Sequence, residues 1–131
     1  MTGLRHVDAI LVLEPGRRAS GERLVREGGF LDGHFPGRPI LPGVLILEGF
    51  LEVGRDLIGA SQRAKGLEPT PSGLLRIEKA NFVRVVVPGE RLRLEVEITR
   101  WEGMEVRLRG TAAVDGTLKA EAIFVMALEP R

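Results

Sequence analysis

Between Val44 and Ile58 the chain carries Val44, Leu45, Ile46, Leu47, Phe50, Leu51, Val53, Leu57 and Ile58. At 3.6 residues per turn these positions cover most of a helix circumference, far more than the apolar stripe of a helix lying on a surface. A helix of this kind has to be wrapped by other structure. With 131 residues the chain has the length of one domain and enough material for a core, so residues 1–131 are read as a single domain whose remainder wraps the helix.

The remainder has strand character. Val7 to Leu13 is mostly apolar, Glu14-Pro15-Gly16 is a turn, and Arg17 to Arg26 reads as a second, more exposed strand. Glycine and proline crowd Gly28 to Gly43, which predicts a loop with fixed bends opening onto the helix at Pro42-Gly43. The polar stretch from Gly59 to Ser72, with Pro69 and Pro71, predicts a crossing loop. Strands are then expected at Gly73–Val87, Arg91–Trp101, Met104–Val114 and Thr117–Leu128, with turns at Pro88-Gly89, Gly103 and Asp115-Gly116. Alternation is clearest in "RLRLEVEI", Arg91 to Ile98. One buried helix followed by a long antiparallel meander defines an α+β domain in which a curved sheet wraps the helix.

Composition removes several function classes. The chain has no cysteine, which excludes disulfides, thiol nucleophiles and cysteine-ligated zinc. The formal net charge is +1, too small to advertise nucleic-acid binding. No apolar run approaches a membrane span and "MTGLRHVDAILVLEPG" has no basic leader or small-residue cleavage site, so a cytoplasmic protein without membrane association is expected. The two histidines, His6 and His34, lack H-x-x-H or H-E-x-x-H spacing, and no metal is expected. Neither G-x-x-x-x-G-K-[ST] nor G-x-G-x-x-G occurs, and Ser20, Ser61 and Ser72 lie outside any G-x-S-x-G elbow.

The remaining chemistry gathers around the helix start. His34 is delivered by the glycine- and proline-rich loop, and an imidazole with an unperturbed pKa of ~6.5 can accept a proton near neutrality. Glu48 is the one charge in an apolar run. Burial would favour its protonated, proton-donating form, while the nearby helix N-terminus would act in the opposite sense. Gly43 stands where free backbone N–H groups favour a developing oxyanion. Each residue also has a plain reading: a histidine after glycine is commonly a surface loop residue, and a helical glutamate usually finds solvent or an arginine. His6, beside Arg5 near the terminus, is read as solvated or partly packed.

The segment "GHFPGRPILPGVLILEG", Gly33 to Gly49, resembles the G-H-F-P-G-x-P-x-x-P-G-V-L-x-x-E motif of bacterial (3R)-hydroxyacyl-[acyl-carrier-protein] dehydratases of the FabZ type. "KANFVRVVVPGERLRLEVEI", Lys79 to Ile98, and "VDAILVLEPGRR", Val7 to Arg18, are similar to further segments of that family. The resemblance implies a hot-dog fold, an antiparallel sheet wrapped around a long central helix. It implies a homodimer as the smallest active unit, commonly built up into a trimer of dimers. His34 would be the catalytic histidine and Glu48 the catalytic acid, paired across the dimer interface. The Gly43 N–H would bind the thioester carbonyl, with Phe35, Pro42 and Val44 also at the substrate. The implied reaction is dehydration of a (3R)-3-hydroxyacyl thioester to the trans-2-enoyl thioester in fatty acid biosynthesis. Its partner would be acyl carrier protein bearing a phosphopantetheine-linked acyl chain, with no other cofactor.

Departures from the family pattern are also visible. "MTGLRH" replaces the family's L-P-H-R-x-P-F-L-L, which predicts a reduced covering of the site. "EGFLE" replaces E-A-M-A-Q, putting a second carboxylate, Glu52, one turn from Glu48. Arg55, three positions on, is the expected ion-pair partner of Glu52. With no tyrosine in the chain, the tyrosine gate of some relatives is absent. Arg38, Arg76 and Arg84 are candidates for docking an acidic carrier, and equally ordinary solvated arginines. Two other functions fit the same pattern: a hot-dog acyl thioesterase, and a catalytically weak acyl-thioester-binding partner subunit.

Overall fold

The computed structural model describes residues 6–26 and 40–129. Its elements are β1 (Ala9–Glu14), β2 (Arg18–Leu24), α1 (Gly43–Ala64), β3 (Ser72–Phe82), β4 (Arg91–Glu102), β5 (Glu105–Val114) and β6 (Thr117–Leu128). The six strands form one antiparallel sheet in the order β1-β2-β4-β5-β6-β3. The helix packs on one face of that sheet, which is the hot-dog arrangement.

The strands follow from period-2 patterning and tight turns. In β4, Leu92, Leu94 and Val96 are buried while Arg91, Arg93 and Glu97 face outward. Pairing carries the pattern across: Leu94 sits opposite Ala112 and Leu108 opposite Phe124, all four buried. The β5–β6 turn places Asp115 and Gly116 at φ 49° and 80°, the left-handed pair that a two-residue hairpin needs to match strand twist.

Helix and sheet meet through glycine as much as through bulk. A Cβ at Gly110 would lie 2.8 Å from the Phe50 ring, and one at Gly54 would lie 3.0 Å from Met126 Sδ. Phe50 in turn stacks on Phe124 with centroids 6.2 Å apart. Leu57 and Ile58 are fully buried about two turns further along.

Three expectations need correction. The helix runs six residues beyond Ile58, through Ala64, where a crossing loop was expected. Ala60, Gln62, Arg63 and Ala64 are good helix formers. Ser61 Oγ also ties this turn down by donating to Leu57 O and accepting from Gly16 N–H, both at 2.7 Å. β3 stops at Phe82 rather than Val87, because Val83 N–H and Arg84 N–H both turn to Lys119 O and end the regular ladder. The wrapping of α1 is also one-sided: Val44 remains 61% exposed, and Arg55 and Asp56 are exposed.

Candidate active site

Pro42 is the N-cap of α1, with φ −61° and ψ 143°, and it supplies no side-chain acceptor. No acidic residue stands in the first turn. Leu45 N–H donates to Pro42 O at 3.0 Å, while the Gly43 and Val44 N–H groups have no partner among the described residues and carry the partial positive charge of the helix start. That is the environment in which charge developing on a carbonyl oxygen is stabilised.

Gly43 is required at this place by close approach. A Cβ there would come within 2.9 Å of Cε1 and Cζ of Phe82, whose ring covers the helix start. Phe82 closes β3, and the segment after it crosses the chain leading into α1, with Leu41 N–H donating to Val86 O at 2.7 Å. Between them lies a groove of about 450 Å³ whose lining includes Leu41, Gly43, Ile46, Phe82, Val83 and Arg84. Its walls are apolar, and Arg84 is the charged residue of its lining. Arg84 Nη1 donates to Leu118 O at 3.1 Å, and Lys119 Nζ donates to Val85 O at 3.1 Å while pairing with Glu90 at 3.5 Å.

Glu48 lies on α1 beyond that start and is half-buried. The next residue, Gly49, is pressed between Leu94 and the backbone of His6: an added Cβ would meet Leu94 Cδ2 at 3.2 Å and His6 O at 3.6 Å. Glu52 does not take Arg55 as its partner. Its Oε1 accepts the backbone N–H of His6 at 3.0 Å, and Arg55 points to solvent. Spacing along one helix suggested the local pair, whereas the N-terminal segment folding back across the helix supplies a donor that spacing does not reveal.

The other candidates separate. Pro42, Gly43 and Val44 sit together at the helix start, and Arg84 borders the same groove. His34, Phe35 and Arg38 lie outside the described residues. Arg76 is six residues from Phe82 along β3, roughly 20 Å away, in ion pairs with Glu78 at 3.4 Å and Glu105 at 3.7 Å. Glu78 is held below the usual carboxylate range first by the hydrogen bond from Arg107, and further by Arg76. Among the described residues there is no cluster of histidine, aspartate or glutamate that could hold a metal ion. None of the helices there is long and apolar enough to cross a membrane.

Residue patterns missed Phe82, Leu41 and Ile46. The visible signal for Phe82 was an aromatic residue inside the strand expected over Gly73–Val87. Nothing in sequence spacing sets that ring on Gly43.

A FabA-like domain model matches residues 2–128. The chain is 38% identical over 126 residues to the 3-hydroxyacyl-[acyl-carrier-protein] dehydratase FabZ of Anaeromyxobacter sp. (strain K), covering 95% of this chain and 81% of that one. It is 40% identical over 123 residues to the protein of the same name from Bacillus velezensis, covering 93% and 85%. Among solved structures, the dehydratase heterocomplex ApeI:P from Xenorhabdus doucetiae superposes with a TM-score of 0.79 at 12% identity, over 95% of this chain and 83% of that one. The smu.793 protein of Streptococcus mutans, bound to acetyl CoA, superposes with a TM-score of 0.74 at 13% identity, over 93% and 88%. These structures share the fold. The sequence relatives share far more, and over nearly the whole length the chain belongs to the FabA-like family, in its branch of FabZ-type 3-hydroxyacyl-[acyl-carrier-protein] dehydratases.

Proposed function

We propose that the protein dehydrates (3R)-3-hydroxyacyl-[acyl-carrier-protein] to the trans-2-enoyl thioester in fatty acid biosynthesis, in the cytoplasm, with His34 as base and Glu48 as acid. The observation that carries this reading is the uncapped start of α1 at Gly43, roofed by Phe82 and opening on an apolar groove, with Glu48 deeper along the same helix.

The chemistry assigns each group one task. The thioester oxygen accepts the Gly43 N–H, and the helix start stabilises the charge that builds there as the C2–H bond breaks. His34 takes that proton. Glu48 gives a proton to the 3-hydroxyl, the C3–O bond breaks, water leaves and the C2–C3 double bond forms. Transfer of a proton from His34 back to Glu48 through solvent restores the starting state. No cofactor is called for beyond the carrier's own phosphopantetheine. Arg84 in the groove lining, together with Arg38, suits an acidic carrier protein.

A dimer is part of this proposal. Every residue of β3 from Leu74 to Phe82 is exposed, Leu74, Leu75 and Ile77 among them. Only β6 pairs with this strand among the described residues. An open edge of this length and apolarity is completed by pairing with another strand, and a second copy supplies an identical one. In this proposal the acid that serves His34 of one copy is Glu48 of the other, the pairing that the family resemblance implies.

The test is hydration of crotonyl-carrier protein and dehydration of the 3-hydroxybutyryl form, followed by enoyl absorbance. Wild type is expected to catalyse both, and His34→Ala and Glu48→Gln to lose about 10²- to 10⁴-fold in kcat. Release of free thiol faster than any hydration would replace this reading with thioester hydrolysis. Activity unchanged in His34→Ala would overturn the assigned base.

A further inference from the structure

The groove at Gly43 owes one wall to a segment that has left the sheet. Phe82, Val83, Arg84, Val85 and Val86 all line it, yet β3 and its ladder end at Phe82. Backbone groups off the ladder need other partners, and one residue of β6 supplies several. Lys119 O accepts the N–H groups of Val83 at 2.8 Å and Arg84 at 3.2 Å. Lys119 Nζ donates to Val85 O at 3.1 Å. The Lys119 side chain is only 13% exposed, and its charge is answered by Glu90 Oε2 at 3.5 Å. Glu90 Oε1 in turn accepts Val87 N–H at 2.9 Å.

The far end of this segment is anchored as well. Val25 N–H donates to Glu90 O at 2.9 Å and Gly89 N–H to Val25 O at 2.7 Å, which fastens the Pro88-Gly89 turn to the chain just after β2. Between the Lys119 and Glu90 contacts stands Val86, fully buried, whose carbonyl accepts Leu41 N–H at 2.7 Å. Leu41 directly precedes Pro42, the N-cap of α1. A continuous path of hydrogen bonds and peptide units therefore runs from the Lys119 ammonium through Val85, Val86 and Leu41 to the helix start. A charged donor bonds a carbonyl more strongly than a neutral one, so the ammonium holds Val85 more firmly than a hydroxyl or amide would.

We infer that Lys119 is a positioning residue for the substrate groove: by holding Val85, and through Val86 and Leu41, it sets the Gly43 N–H and the Phe82 ring at the spacing that the thioester oxygen needs. The inference rests on the reading of that groove as the thioester site. Lys119 touches no reacting atom in this role, and its effect passes through backbone placement. Misplacing a group at the chemistry by about 1 Å can cost about 10²-fold in rate. A lysine that served only to dock an acidic carrier would act on KM for the carrier-bound substrate. A positioning lysine acts on kcat, whatever carries the thioester.

The experiment measures kcat and KM for hydration of crotonyl-carrier protein and of crotonyl-N-acetylcysteamine, a thioester without a carrier, together with thermal unfolding. Wild type is compared with Lys119→Met, which keeps the apolar stem and removes the donor, and with Lys119→Arg, which keeps a charged donor. In Lys119→Met, kcat is expected to fall about 10- to 100-fold on both substrates, with KM within about twofold of wild type. Lys119→Arg should retain most of the activity. Amide exchange at Leu41, Val83 and Arg84 should quicken in Lys119→Met while that of β4 and β5 stays slow. If Lys119→Met does not fold, Lys119→Thr, polar and favourable in a strand but too short to reach Val85 O, takes its place with the same expectation. An active wild type with kcat unchanged in Lys119→Met, or with only a raised KM for the carrier-bound substrate, would overturn this inference while leaving the proposed reaction intact. So would a loss of kcat that Lys119→Arg shares in full. A wild type that hydrates neither thioester would remove the reading of the groove and this inference with it.

Discussion

β3 and β4 are nearly equal in length, eleven and twelve residues, and both carry leucine and isoleucine among arginine and glutamate. β4 buries alternate residues against α1, whereas β3 exposes everything from Leu74 onward. The difference is one of position. β4 is central, with β2 and β5 on either side, and β3 is the edge. Apolar residues at an edge that the described residues leave open are the basis of the proposed pairing with a second copy.

Breaking the completed side should have the largest effect. Phe50→Ala opens a cavity over Gly110 and beside Phe124, and about 3–5 kcal/mol of stability is expected to go, measured by urea unfolding. If the loss were under about 1 kcal/mol, the helix–sheet contact would not be the main support of the fold.

The edge is tested next. Leu74→Lys with Ile77→Lys places charge on the exposed strand. The proposed dimer should weaken by about a hundredfold or more in Kd, roughly 2.7 kcal/mol, as read by sedimentation, while far-ultraviolet circular dichroism stays native. Dehydratase activity should fall with the dimer. A double variant that remains dimeric would place the interface elsewhere.

The smallest effect concerns the charges that decorate β3. Glu78, on the exposed strand, is held low mainly by Arg107. A carboxylate whose folded pKa is depressed contributes stability that is present above its unfolded pKa of ~4.3 and lost as pH falls through the folded value. Glu78→Gln should therefore lower the melting temperature only slightly at neutral pH and not at all once the pH is below the folded value. An equal difference at every pH would show that the Arg107 contact acts through packing.

Most strands and turns were legible because their signals are local. "RLRLEVEI" shows its buried face by alternation, and Pro88-Gly89 and Asp115-Gly116 announce turns, Pro88 through its fixed φ and Gly89, Asp115 and Gly116 through their tolerance of positive φ. Pro42-Gly43 marked the helix start because proline fixes φ, here −61°, at the N-cap. The helix end was harder to read. Gly59 and the polar residues after it resemble a loop, and the contact that keeps them helical, Ser61 with Gly16, spans forty-five positions. The candidate site divides in the same way. Gly43 and Glu48 were visible as an oxyanion-binding position and a lone charge, while the Phe82 ring above Gly43 was not.

Local periodicity and turn chemistry, which depend on residues within a few positions of one another, thus determined which segments are strand or helix and where the helix starts. Strand order, the exposure of β3 and the choice of His6 rather than Arg55 as partner for Glu52 were decided by the tertiary structure. The physical reason is that burial and hydrogen-bond partners depend on what packs across space, and the strap at His6 reaches Glu52 only after the sheet has brought β2 beneath the helix.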